Sequence, residues 1–380
     1  MEGMDSEVEF RGYRICGYYQ SLEGESPAWF TLQIRLNGKS FDIRASPSEF
    51  YDSPRATAEF FQIFAFLARE PDVFANEIED TAIAEGDNVP TTWPLTIDSC
   101  FDWAVRPFLP ILENLAPQPT DISSVTLEDY LAHETFKCEL KCVDEMLQPG
   151  PVTLHERLDD WMEPIPETQP WKTTLPTFHP SQIRIFGDDP RYILDDDPSR
   201  VCVDGEEYFY KSFDFVGEQA GRCEVSKYEQ ILRANFRPHI RTSRACGVVQ
   251  DDNGRLLGVL LHRIDEVNTL AGALSCSTPE DTKRRWASQL RESLQALHEV
   301  GIVWGDAKPD NVIIDRQGDA WIIDFGGGHT RGWVDENKAG TIEGDLQGMR
   351  KILQFLSSQN LGLNTSVYNI DEKDTHSSHL

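Results

Sequence analysis

Hydrophobic positions recur at two spacings along the chain, and the way they alternate divides it into regions. Residues 11–17 and 29–43 alternate as strands, the second run broken at Asn37-Gly38, a dipeptide that favours a two-residue hairpin turn. Ser46-Pro47-Ser48-Glu49 resembles a helix start. Residues 57–68 then carry Phe60, Phe61, Ile63, Phe64 and Leu67 on one broad helical face. Residues 100–115 and 127–147 read as two further helices, parted by prolines around 116–120. A proline-rich stretch with Pro164, Pro166, Pro170, Pro176 and Pro180 follows, expected to be extended and to mark a domain boundary.

From Ile183 the pattern changes. Strands at 201–203 and 208–213 flank Asp204-Gly205, and a helix over 222–235 carries Val225, Tyr228, Ile231 and Leu232 at helical spacing. Strands at 246–250 and 256–264 flank Asn253-Gly254. The longest helix is predicted over 279–300, with Thr278 as its cap, Pro279 in its first turn, and Asp281 completing a capping-box pattern. Its buried stripe is Trp286, Leu290, Leu294, Leu297 and Val300, and Gly301 ends it. A strand pair at 312–314 and 320–323 comes next. A helix opening at Asp345 then carries Leu346, Met349, Leu353 and Leu356. The expected organisation is an N-terminal α+β domain over 1–163, a connector over 164–182, a second domain over 183–363 and a disordered tail over 364–380.

Composition narrows the partners. The chain has 380 residues and a formal charge of −29, so its surface should repel nucleic acid and anionic membranes. No apolar run approaches the roughly 20 residues that span a bilayer. The acidic N-terminus does not read as a secretory signal. Eight cysteines are scattered, and the one close pair, Cys138 and Cys142, lacks a second pair to complete a zinc site. Reduced thiols fit an intracellular chain, cytoplasmic or nuclear.

Nothing before residue 163 assembles reactive groups; His133 and His155 stand alone. The second domain does. Trp304-Gly305-Asp306-Ala307-Lys308-Pro309-Asp310-Asn311 leads into one strand of the late pair, and Asp324-Phe325-Gly326 leaves the other. Upstream, Lys211 sits inside the aromatic strand 208–213. The expected acidic partner for it is Glu224, which shares a face with Tyr228 and Ile231, with Glu229 as the alternative.

These segments, their spacing and the strand–strand–helix–strand–strand order resemble the protein-kinase-like superfamily. They also resemble a group of fungal protein-kinase-like sequences, most clearly over residues 301–347, notably 303–311, 332–335 and 340–347, and more loosely back to about 183. The resemblance implies a two-lobed α+β fold, with a small antiparallel β lobe and a reduced helical lobe, behind the N-terminal α+β domain. It implies ATP and Mg2+ as cofactors and an unidentified protein as substrate or partner. Asp306 would orient the acceptor hydroxyl and Lys308 would offset charge, as in kinases of serine/threonine type. Asn311 and Asp324 would hold metal, because an amide oxygen and a carboxylate suit a hard cation. Lys211 with Glu224 would grip phosphates, Asp345 would brace the loop bearing Asp306, and His262, Arg263 and Ile264 would form the hinge that meets adenine.

Three departures widen the range of functions. The stretch 191–201, where a glycine-rich phosphate loop belongs, instead holds Asp195-Asp196-Asp197-Pro198, three carboxylates expected to repel a triphosphate unless they point away. Trp304-Gly305 replaces histidine-arginine, and no Ala-Pro-Glu follows Asp324. An active protein kinase is the leading expectation. A pseudokinase or interaction module is the second, and a small-molecule kinase of the aminoglycoside or choline kinase type, favoured by Gly305, is the third.

Overall fold

The computed structural model describes residues 12–21, 26–51, 53–69, 96–119, 124–155, 171–187, 189–213 and 217–358. The tail expected over 364–380 and the first part of the connector, 164–170, lie outside the described residues. Two compact units divide the chain: Met1–Gln169 with Pro180–Cys202, and Pro170–His179 with Val203–Leu380. The proline-rich stretch is thus shared between them. Its residues 171–179 carry strand β7 (Thr177–Phe178) and the buried Leu175 of the second unit, while 180–182 belong to the first.

Most of the first unit is a six-stranded sheet backed by helices. Strands β1 (Arg14–Gln20), β2 (Phe30–Leu36) and β3 (Lys39–Ala45) run antiparallel. Asn37 (φ 49°) and Gly38 (φ 80°) make the tight β2–β3 turn that the sequence predicts. The short β4 (Phe50–Tyr51) precedes α1 (Pro54–Arg69). The helix expected over 100–115 is broken into α2 (Ile97–Val105) and α3 (Leu109–Leu115), with Pro107 and Pro110 at the starts of the new turns, where no amide donor is needed. In the core, Phe30 stacks on Phe60 at 5.0 Å between ring centroids, and Trp103 lies edge-on to Phe50 at 6.1 Å.

The helix expected over 127–147 is not one. Only α4 (Leu127–Leu131) is helical, and β5 (Thr135–Val143) and β6 (Met146–His155) form a hairpin through Asp144 and Glu145, both at positive φ. Phe136, Cys138, Leu140 and Cys142 alternate strictly and are buried, and a period of two wins over the looser helical spacing of the same apolar residues. β5 also pairs in parallel with β3 and β4, so Cys138 and Cys142 face the core as free thiols.

Residues 180–202 complete this unit with β8 (Arg184–Phe186) and β9 (Arg200–Val203), which pair antiparallel. The acidic triplet lies between them, and each carboxylate is occupied within the unit. Asp195 is buried and accepts from the amides of Asn37 (2.9 Å) and Gly38 (2.7 Å), capping the β2–β3 turn. Asp196 accepts from Arg14 Nη2 at 3.2 Å, and Asp197 from the Tyr130 hydroxyl at 2.7 Å. Asp195→Ala removes the acceptor for two turn amides. We expect it to lower unfolding stability by about 1–3 kcal/mol in urea titration, with Asp195→Asn losing less.

The second unit has a β-rich part and a helical part. Strands β7, β11 (Ala245–Gln250), β12 (Leu256–His262) and β10 (Glu206–Ser212) lie side by side in that order, β7 parallel to β11 and the rest antiparallel. Asp204 and Gly205, at φ 52° and 90°, turn the chain into β10. Helix α5 (Gly217–Ala234) packs Val225, Tyr228 and Ile231 into the core. The remainder holds β13 (Glu266–Thr269), α6 (Leu270–Ala273), α7 (Glu280–Glu299), β14 (Val312–Asp315), β15 (Ala320–Ile322) and α8 (Ile342–Ser358), with β13, β14 and β15 forming an antiparallel sheet. This is the two-lobed α+β architecture expected.

Helix α7 is capped differently from the expectation. Pro279 is the cap residue and has no side-chain acceptor to offer, and Thr278 Oγ1 instead accepts from the Ser275 amide at 2.9 Å, closing the preceding turn. Gly301, at φ 78°, ends the helix as its sequence predicts. No helix among the described residues is long and apolar enough to cross a membrane.

Candidate active site

The site is built from β10, α5, and the loops that flank the β14–β15 hairpin. On β10, Tyr210 points into the core, so Lys211 faces the opposite side. Its ammonium donates to Glu224 Oε1 at 2.9 Å and to Asp324 Oδ1 at 2.7 Å. Glu224 comes from the core-facing stripe of α5, one residue before Val225, and its side chain is 2% exposed. Burial pushes the Glu224 carboxyl above its usual range, against the pull of Lys211. Burial alone would depress Lys211, but Asp324 and Glu224 outweigh it and hold the ammonium above its ordinary value. Two carboxylates thus share one lysine, leaving a net negative site beside Asp324.

The choice left open by the sequence is resolved in geometry. Glu229 does not reach Lys211; it accepts from Thr173 and Thr174 and pairs with Arg233.

The loop after α7 is fixed by three anchors. Ile302, Trp304 and Ala307 are buried. Asp345, in the first turn of α8, accepts from the Trp304 amide at 2.7 Å and the Gly305 amide at 2.8 Å, with His298 Nε2 at 2.8 Å. The Trp304 indole donates to the Ile323 carbonyl at 2.8 Å, and the Ile323 amide donates to the Asn311 carbonyl at 3.1 Å. The two loops are therefore stitched together next to their acidic residues. Gly305 has φ +102°, and a Cβ there would sit 3.0 Å from the Gly327 Cα. Backbone geometry alone accounts for glycine at this position.

Asp306 and Asn311 meet at the end of that loop. Asn311 Nδ2 donates to the Asp306 carbonyl at 2.9 Å and to Asp306 Oδ2 at 3.0 Å. Lys308 Nζ lies 3.2 Å from Asp306 Oδ2. Asp324 adopts φ 59°, unusual for a non-glycine. Phe325 is fully buried, edge-on to Tyr228 of α5 at 5.5 Å.

His262, Arg263 and Ile264 lie at the end of β12 and in the segment leading to β13. The His262 amide donates to the Arg244 carbonyl, the Ile264 carbonyl accepts from Glu266, and the Arg263 guanidinium pairs with Glu207 at 2.9 Å. The structure brings Lys211, Glu224 and Asp324 together as one group and Asp306, Lys308 and Asn311 as another.

Two residues here carried no sequence signal. Thr330 donates to Asp306 Oδ1 at 3.0 Å and accepts from Lys308 at 3.1 Å, placing a hydroxyl between the two side chains. Lys227 of α5 donates to the Trp304 carbonyl at 3.4 Å, and burial depresses its ammonium despite Asp345 and Glu224 nearby. A hydroxyl or lysine at such positions is ordinary in sequence; only the fold gives either a partner.

Residues 204–345 match the sequence profile of the protein kinase domain. Among similar proteins, serine/threonine-protein kinase PKH3 of Eremothecium gossypii is 32% identical over 90 residues, 23% of this chain and 12% of its own length. CBL-interacting serine/threonine-protein kinase 7 of Arabidopsis thaliana is 42% identical over 48 residues, 13% of this chain and 11% of its own. Ribosomal protein S6 kinase alpha-6 of Mus musculus is 26% identical over 229 residues, 54% of this chain and 27% of its own. The chain spans about a quarter or less of the length of each of these relatives.

Proposed function

The chain carries a domain of the protein-kinase-like superfamily over residues 204–345, and from that premise we propose that it is an ATP- and magnesium-dependent phosphotransferase of serine/threonine protein kinase type. The observation that carries this reading is the Lys211 bridge between Glu224 and Asp324, beside a second cluster of Asp306, Lys308 and Asn311. The names of the relatives and the placement of Lys308 against Asp306 support the serine/threonine class.

The donor set suits a hard cation. Asn311 spends its amide nitrogen on Asp306, which leaves its amide oxygen, and the bonds from Lys211 and Gly326 both fall on Asp324 Oδ1, which leaves Oδ2 without a hydrogen bond among the described residues. Few protein ligands plus phosphate oxygens is the usual magnesium arrangement. Magnesium bound there would neutralise charge that develops on the phosphates. Lys211, fixed by Glu224, would hold the α and β phosphates, and backbone groups at 262–264 would meet adenine. Asp306 would accept the proton of the attacking hydroxyl, and Lys308 would offset negative charge at the transferred group. The acidic triplet does not oppose this reading, since its three carboxylates are bound within the first unit.

The test is a thermal-shift titration with magnesium-ATP, paired with a transfer assay on protein acceptors. Wild type should be stabilised by ~2.7 kcal/mol at a hundredfold excess over Kd. Asp324→Asn should lose most of that shift while unfolding normally without nucleotide. A wild-type chain that neither shifts nor forms phosphoprotein or ADP is an interaction module. Turnover on small alcohols but not proteins marks a small-molecule kinase.

A further inference from the structure

Helix α5 is held from outside the matched region. Residues 171–179, read from sequence as a spacer, lie along the β-rich part of the second unit. Leu175 is buried in its core. Val248 and Val249 pair with Thr177 and Phe178, and the Val248 amide donates to the Pro176 carbonyl at 2.9 Å. Phe178 lies so close to Gly247 that an added Cβ would come within 2.5 Å of its ring.

The other end of this segment is clasped to α5. Glu229 Oε1 accepts from the Thr174 amide at 2.6 Å and from the hydroxyls of Thr173 (2.8 Å) and Thr174 (2.9 Å). Trp171 packs on the core, with the Arg222 guanidinium 5.8 Å from its ring centroid. Three donors on one carboxylate oxygen, one of them a backbone amide, exceed what a solvated helix face collects. Burial works against the Glu229 carboxylate, yet those donors hold it below its usual range. Five positions separate Glu229 from Glu224, about 140° around the helix, so the two carboxylates grip different sides of α5.

We propose that residues 171–179 are a strap, and that its clasp of Thr173, Thr174 and Glu229 sets the position of α5 at which Glu224 meets Lys211. Glu229 is then a positioning residue. It touches none of the reacting groups and acts through the helix that carries Glu224. The turnover arm of the test rests on the kinase reading above; the exchange arm does not.

Amide hydrogen exchange over 217–234 is measured in the full chain for wild type, Glu229→Ala, Glu229→Gln and the Thr173→Val/Thr174→Val pair. Glu229→Ala and the double valine variant should speed exchange about tenfold, and Glu229→Gln, which keeps an acceptor for all three donors, should restore most of the protection. In turnover, Glu229→Ala should lower kcat/KM for ATP about tenfold, with no further loss when added to Glu224→Gln. Unchanged exchange in Glu229→Ala overturns the strap. So does a loss that multiplies with that of Glu224→Gln, because independent effects mean the helix is not the link. If wild type shows no turnover, that counts against the kinase reading alone, and the exchange result decides the strap.

Discussion

Asp306→Asn is expected to slow phosphoryl transfer by about 10²–10⁴-fold while leaving magnesium-ATP affinity and the unfolding midpoint close to wild type. The split follows from the neighbours. The asparagine oxygen still accepts from Asn311, and its NH2 group, which cannot accept from the Thr330 hydroxyl as the carboxylate does, donates to it instead, so the loop keeps its contacts with one bond reversed. On the proposed reading, what goes is the charge that would draw the acceptor proton. Lys308, 3.2 Å from the carboxylate, also loses its counter-charge, which adds to the loss in kcat and not to KM for ATP. Single-turnover transfer and an ATP titration by thermal shift separate the two. Wild-type rates in the variant would remove Asp306 from the chemistry and leave the nucleotide site standing.

The second large effect is structural. Asp345→Ala is expected to destabilise the second unit by about 3–5 kcal/mol, read as a fall in the urea midpoint of its unfolding transition. Asp345 is buried and accepts from two backbone amides and faces His298. Alanine leaves those donors without a partner where water does not reach, and each carries its own desolvation cost. The location at the first turn of α8 adds to the loss, since the carboxylate also sits at the positive end of that helix. Asp345→Asn, able to accept one of the amides, should fall between. A variant that unfolds like wild type would mean that Ile302, Trp304 and Ala307 alone hold the loop.

Much of this site was legible because its chemistry is local. Asp306 and Asn311 lie five residues apart on one loop, and the turn at 317–319 brings Ile323, the residue before Asp324, back to the Asn311 carbonyl. The resemblance also implies Asp345 as the brace of that loop, and Asp345 accepts from the Trp304 and Gly305 amides. The hairpin turns at Asn37-Gly38 and Asp204-Gly205 were equally plain, because a positive φ selects its residues.

What sequence did not give depends on partners far along the chain. Asp195 reads as a phosphate-repelling loop residue until Asn37 and Gly38, more than 150 positions away, claim it. Glu229 reads as a rival to Glu224 until Thr173 and Thr174 occupy it. Residues 127–147 fit two periods at once, and the pairing of β5 with β3 decides between them. Thr278 looks like a cap in isolation and serves the turn before it.

The path of the chain between the two units bears on how it can be divided. It enters the second unit for 170–179, returns to the first for 180–202, and leaves again at 203. A gene fusion or proteolytic nick at any one peptide bond in this stretch hands each product an incomplete unit. A cut after 182 strips the kinase-like part of its β7 strand and takes from the N-terminal part the carboxylate that closes its β2–β3 turn. A single break within 170–202 therefore cannot release both units intact.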